Sequence, residues 1–224
     1  ENVTFRDVSG VGSGPNPQGL NLNGWTLTGG ISLYRSDASF KNCIFSNFST
    51  EDALNIVDSS FTLNSSHFEN SFSDAFDGDF VKGKIKDCSF KNIAGDGVDF
   101  SGSNASIQNC EFSNIGDKAI SVGEGSHVQI TNSKIKDVSF GIVSKDLSKV
   151  EVSGNSMISN SKIANFSAFQ KKNTFGSASI RVETSHMKYN QKDFLIQDGS
   201  IGLLNGELVK TISFDPIKLY ETEK

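Results

Sequence analysis

The residues best equipped for chemistry are carboxylates that return at the same place in successive short repeats. Asp52, Asp74 and Asp96 recur at intervals of 22 residues, Lys118 follows after another 22 and Gly141 after 23. Two residues beyond each lies an apolar position, at Leu54, Phe76, Val98, Ile120 and, at the next repeat, Val143. The residue just after each of these is Asn55, Asp77, Asp99, Ser121 and Ser144. Period-2 alternation turns the first set inward and the second outward. Asp79 adds a further outward carboxylate two positions beyond Asp77. Stacked like charges about 4.8 Å apart repel, so something must offset them: a cation, a substrate group, a lysine or a retained proton. An oxygen-rich cluster suits calcium, for which Asp77, Asp79 and Asp99 are the candidate ligands. Mid-strand aspartates are unfavourable without a compensating role, whereas Asp52, Asp74 and Asp96 also read as turn residues.

Three kinds of chemistry fit these residues. Lys118 as a proton acceptor beside a cation-bound uronate would make a lyase; as an ion-pair partner of Asp96 or Asp117 it would be structural. Asp77 and Asp99 on neighbouring turns would suit acid/base glycoside hydrolysis. A binding surface would draw on Asp52, Asn55, Asp74, Asp96 and Ser121, with Tyr34 and Arg35 one turn earlier, and on exposed aromatics such as Tyr34 and Phe140. His67, His127 and His186 are scattered, so no transition-metal cluster is expected. No phosphate loop or nucleophile elbow is present. The net charge of -5 gives a nucleic-acid partner little support, and no apolar run reaches membrane-spanning length.

What must position these groups is a repeat. Cys43-Ile44-Phe45, Ser66-His67-Phe68, Cys88-Ser89-Phe90, Cys110-Glu111-Phe112 and Ser133-Lys134-Ile135 state one phrase five times. Their apolar members are separated by 23, 22, 22 and 23 residues. Coils this short, each with three brief strands and no room for a helix, predict an all-β, right-handed parallel β-helix of about 22–23 residues per coil. Eighteen Phe suit a narrow core and 21 Gly suit its corners. Asn70, Asn92, Asn114 and Asp137 predict a corner ladder of side chains that cap backbone groups. Cys88 and Cys110 fall at equivalent positions of adjacent coils, about 4.8 Å apart, near the range of a disulfide; buried free thiols are the favoured reading and a disulfide the alternative. One β-helix is expected over 1–224, regular over 38–157. Irregular coils and a cap follow over 158–224, the cap drawn from Leu203 to Tyr220. Segments 11–18 and 161–170 are the candidate groove walls.

The fold and the acidic phrases resemble the right-handed parallel β-helix superfamily that includes pectate, alginate and chondroitin lyases and many bacterial surface proteins. Glu51-Asp52-Ala53-Leu54-Asn55-Ile56, Ser73-Asp74-Ala75-Phe76-Asp77-Gly78-Asp79-Phe80 and Gly116-Asp117-Lys118-Ala119-Ile120-Ser121 are similar to bacterial β-helix regions, some encoded with a spore-coat-kinase-like module. The resemblance implies a polysaccharide or wall-polymer partner and an extracellular, periplasmic or cell-surface location, within a longer polypeptide. It carries over no complete catalytic set. The expectation is therefore a glycan-binding module, with a calcium-assisted lyase or carboxylate hydrolase, or an assembly part of a surface protein, as alternatives.

Overall fold

The computed structural model describes residues 1–9, 20–22, 24–185 and 188–219. The chain winds as a right-handed parallel β-helix of about eight turns. Three walls enclose the core. The first carries Ile44–Phe48, His67–Ser71 and Ser89–Ile93; the second Gly29–Tyr34, Asp52–Val57, Asp74–Asp79 and Val98–Ser101; the third Ala38–Lys41, Ser60–Asn64, Lys82–Lys86 and Asn104–Gln108. From Glu111 onward the first two walls share continuous strands, Glu111–Gly123, Lys134–Lys145 and Met157–Phe169, which run through the corner between them. The expected three short strands per coil thus become two in this half, because the corner is taken by a bulge instead of a turn.

Stacking of like on like holds the coils in register. Phe5, Phe45, Phe68, Phe90 and Phe112 form a column of rings with centroids 5.1, 4.3, 5.0 and 4.7 Å apart. Asn70, Asn92 and Asn114 each donate an amide N–H to the asparagine one coil back, at 2.9–3.1 Å, beginning from Asn47. All four have φ of 55–58°, left-handed backbone that asparagine tolerates. The predicted ladder is present, with its side chains bonded to one another and not to the backbone groups expected, and Asn160 donates to Asp137 at 2.5 Å. At another corner, buried serine hydroxyls accept backbone amides from the preceding coil, as Ser103 does from Val81 at 2.9 Å and Ser126 from Ser103 at 2.8 Å. Cys43, Cys88 and Cys110 are buried free thiols, as the sequence implied.

The core is narrow enough that one ring can fill two layers. A Cβ on Gly83 would lie 2.2 Å from the ring of Phe61, so the glycine makes the space that Phe61 occupies. At the far end Ile201–Leu204 pairs antiparallel with Glu207–Leu208, and Pro216–Leu219 is a short helix. The third wall therefore ends in a folded-back strand, as a cap requires. The stretch 161–170 is no separate wall: Ser161 to Phe169 complete the strand Met157–Phe169. Segment 11–18 lies outside the described residues.

Phe90 is fully buried between Phe68 and Phe112. Phe90→Ala is expected to cost about 3–5 kcal/mol, since flanking rings fixed by backbone hydrogen bonds cannot collapse into the space. An unfolding free energy from urea titration within about 1 kcal/mol of the parent's would show that the column is not what aligns the coils.

Candidate functional site on the acidic wall

Register fixes which side chains share the outer face of the second wall. One outward column runs Gly29, Asp52, Asp74, Lys118, Phe140 and Ala164, with Asp96 at the corner between Asp74 and Lys118. A second runs Ser32, Asn55, Asp77, Asp99, Ser121, Val143, Ser167 and Leu195. A third runs Tyr34, Val57, Asp79 and Ser101. The expected columns hold through Ser121 and then need correction. Ile142, not Val143, pairs with Ile120, so Val143 faces outward and Ser144 faces in; Phe140, not Gly141, follows Lys118. The corner of strand Lys134–Lys145 is one residue shorter than its predecessor, which shifts everything after it. Phe140 is consequently no exposed aromatic. It is fully buried in an outer apolar cluster with Val143, Ala164 and Phe169, against which Leu195, Phe214 and Leu219 pack.

Within the polar half, corner aspartates cap the next coil. Asp74 Oδ1 accepts the amide of Asp96 at 2.7 Å, and Asp96 Oδ1 accepts the amide of Lys118 at 2.9 Å. The hydroxyl of Thr28 donates to Asp52. Lys118 is buried, with its ammonium on Asp96 (3.3 Å) and Asp117. Held as this double ion pair it has no lone pair to accept a proton, so the geometry supports the ion-pair reading of Lys118 over a basic one. Asn55 donates to Asp77 at 2.9 Å, and Lys145 lies 3.7 Å from Asp99. Arg35 binds Asp58 at 2.7 Å on an exposed corner, three strands away from Asp99 in the wall.

The floor is far less open than its outward orientation implied. Asn55 is 1% exposed and Ser121 0%. Burial pushes the Asp52 carboxyl up to about 7, the Thr28 hydrogen bond opposing and Glu51, Asp79 and Asp99 adding repulsion. Asp74 stands well above the usual carboxylate range, from burial first and then from Asp96 and Asp52. Asp77 does so from burial, then from Asp52, Asp79 and Asp99. Asp79 is raised to about 6 by burial and Asp99, against a hydrogen bond from Asn55.

The expected calcium trio is regrouped. Oxygens of Asp74, Asp96 and Asp99 come within 4.8 Å of one another, so Asp99 is shared with the expected set while Asp77 and Asp79 are not in it. Two residues apart on one strand, those two are separated by about 6.6 Å along the chain, whereas the corner brings Asp96 round toward Asp99. Sequence reasoning also missed Lys171. Asp146 accepts the amides of Lys171 and Lys172 at 2.6 and 2.7 Å, turning the chain back toward the wall. Burial lowers the Lys171 ammonium, as do Lys145 and Lys118, while Asp99 and Asp117 raise it. No periodicity marks this residue, because it lies past the end of a strand. A recess of about 470 Å³ lies elsewhere, on the first wall between Lys91, Glu111, Lys134, Lys136 and Met157. It is open and brings together no paired carboxylates, so the chemistry locates the site better than volume does.

These walls define a solenoid with a half-buried acidic face. The chain matches the family described as right handed beta helix region over residues 75–222, and it belongs to that family. No curated protein and no solved structure matches it.

Raised carboxylates set the pH dependence. Between the unfolded value of 3.8 and the folded values, the folded state binds more protons than the unfolded one. Stability is therefore greatest at the acid end and falls as pH rises from about 4 to about 7, by up to about 1.4 kcal/mol per pH unit for each such group. Urea midpoints in chelator should decline across that window, and Asp77→Asn should flatten the decline. A midpoint flat from pH 4 to 7 would mean that these groups keep their unfolded values in the fold, and a rising one that the fold lowers them.

Proposed function

We propose that this β-helix is an exported module that binds a polysaccharide or cell-wall polymer along the polar half of the acidic wall, with a divalent cation such as calcium at Asp74, Asp96 and Asp99. The observation that carries the reading is the imbalance of charge in a buried place. Asp52, Asp74, Asp77, Asp79, Asp96, Asp99 and Asp117 gather there with Lys118, Lys145 and Lys171. The residues suit a hard cation, since every donor is oxygen. Asp99 Oδ1, Asn55 Oδ1 and Ser121 Oγ are buried without a hydrogen-bond partner, an arrangement that favours a ligand able to satisfy them. A bound cation would supply positive charge that both quiets the carboxylates and holds hydroxyl or carboxylate oxygens of a polymer. A nucleic acid, whose phosphates would meet this acidic face, fits poorly. The likeness to bacterial regions encoded with spore-coat-kinase-like modules supports a surface location within a longer protein.

A carboxylate-dependent glycoside hydrolase is the second reading. Asp77 and Asp99 are register neighbours; burial holds Asp77 well above the usual carboxylate range, while Asp99 lies 3.7 Å from Lys145, an arrangement of unlike environments such as acid/base pairs use. A lyase gains less support, because Lys118 and Arg35 are both committed to carboxylates.

Calcium titration tests the principal reading. Calcium at a hundredfold excess over Kd should stabilise the protein by about 2.7 kcal/mol, and retention on immobilised wall polysaccharides should fall in chelator. Asp74→Asn/Asp99→Asn should lose both responses. Identical melting in calcium and chelator would remove the cation. Reducing-end release from a polysaccharide panel, lost in Asp77→Asn and Asp99→Asn, would move the assignment to the hydrolase.

A further inference from the structure

We propose that the recess on the first wall binds a phosphate ester, its oxygens held by Lys91 and Lys136 with Ser113 between them. The site is separate from the acidic wall, and the inference goes beyond the functional reading above. Register places these groups. On the outer face of the first wall one column runs Glu69, Lys91, Ser113, Lys136 and Ser159. The column beside it runs His67, Ser89, Glu111, Lys134 and Met157. Lys91 and Lys136 therefore stand two interstrand steps apart, about 9.6 Å at their backbones, with the half-buried Ser113 midway. Their flexible four-carbon stems can bring both ammoniums onto one anion over the serine hydroxyl.

Charge sets this recess apart in a chain whose net charge is -5. Lys91, Lys134 and Lys136 line it against one carboxylate, Glu111, which lies 3.3 Å from Lys134. Glu69 is the register neighbour of Lys91 on its far side, and Asp137 follows Lys136 in the chain. Among the described residues, however, neither Lys91 nor Lys136 forms an ion pair. Lysine is depleted in strands, and lysines on an edge strand would serve to block aggregation. Both of these lie on strands inside the sheet, paired on each side, so that service does not explain them. The donors select the anion. A carboxylate is matched best by the planar fork of arginine, and no arginine is among the residues lining the recess. Lysine acts as a point charge, and the tetrahedral oxygens of a phosphate can meet two ammoniums and a hydroxyl at once. A volume of about 470 Å³ has room for the phosphate and a small unit bearing it. Met157, 42% exposed, gives that unit an apolar contact.

Calorimetric titration of the whole chain in calcium-free buffer tests the site, with inorganic phosphate, glycerol phosphate, poly(glycerol phosphate) and galacturonate as probes. The phosphate-bearing probes should bind, and galacturonate at least about tenfold more weakly. Tighter binding of the polymer than of glycerol phosphate would assign the ester to a polymer; equal binding would assign it to a small molecule. Lys91→Gln and Lys136→Gln should each weaken binding roughly tenfold, and Ser113→Ala about fivefold. Glu111→Gln should tighten it, by removing the one negative charge and releasing Lys134. Lys82→Gln/Lys84→Gln removes the same charge from exposed positions of the third wall and should keep the parent's affinity. Since Lys91, Ser113 and Lys136 are exposed or half-buried, all variants should melt with the parent. Equal losses in Lys82→Gln/Lys84→Gln and Lys91→Gln/Lys136→Gln would reduce the effect to general attraction of anions and overturn the proposal. Galacturonate binding as tightly as phosphate, or no binding of any probe by the parent, would overturn it as well.

Discussion

Each coil of this protein is hydrogen-bonded to the next in parallel register, so a side chain meets its counterpart one coil away at about 4.8 Å. Everything distinctive about the molecule follows from what that enforced neighbour does to each residue type. Phenylalanine gains ring contact, and the column from Phe5 to Phe112 exploits it. Asparagine gains an amide chain, from Asn47 to Asn114. Serine at the corner offers its hydroxyl to a backbone amide that would otherwise be buried unpaired. Aspartate alone is placed at a disadvantage, since repetition brings like charges together in a medium that screens them poorly.

The acidic wall answers that disadvantage in three ways along its length. Asp74 and Asp96 accept backbone amides of the following coil, which gives their oxygens hydrogen-bond partners. Lys118 and Lys145 set ammoniums opposite Asp96, Asp117 and Asp99. Burial then raises Asp74 and Asp77 well above the usual carboxylate range. A cation at the proposed site would compete with protons for one set of oxygens.

The sequence made the period, the Phe and Asn columns and the carboxylate columns through Ser121 legible, because each depends only on counting residues. It did not reveal where counting fails. Between Ile115 and Lys118 the spacing is one residue longer than between Val138 and Phe140, and a one-residue slip exchanges inside for outside. That slip is why Val143 and Ser144 change places and why Phe140 belongs to a covered face. The contents of the site were readable as residue types but not as a grouping. Asp96 meets Asp74 and Asp99 through the path of a corner, and Lys171 arrives from beyond a strand end.

The change of character along the wall also fixes how long the polar floor can be. Up to Ser121 the second column is Ser, Asn, Asp, Asp and Ser, and beyond it comes Val143. In the first column Lys118 gives way to Phe140 at the same step. Phe214 packs on Phe169 with ring centroids 6.0 Å apart, and its carbonyl accepts the Gln197 side-chain amide at 3.2 Å. The tail thus closes over apolar positions that water would otherwise meet. From Ser32 to Ser121 is four interstrand steps, about 19 Å. A polymer lying along the wall therefore has a polar floor of that length, ending against the covered face. Extended recognition along all eight turns is not available on this side. The ion pairs of Lys118 and Lys145 stand at this boundary, where the polar floor gives way to a face the protein has used for its own packing.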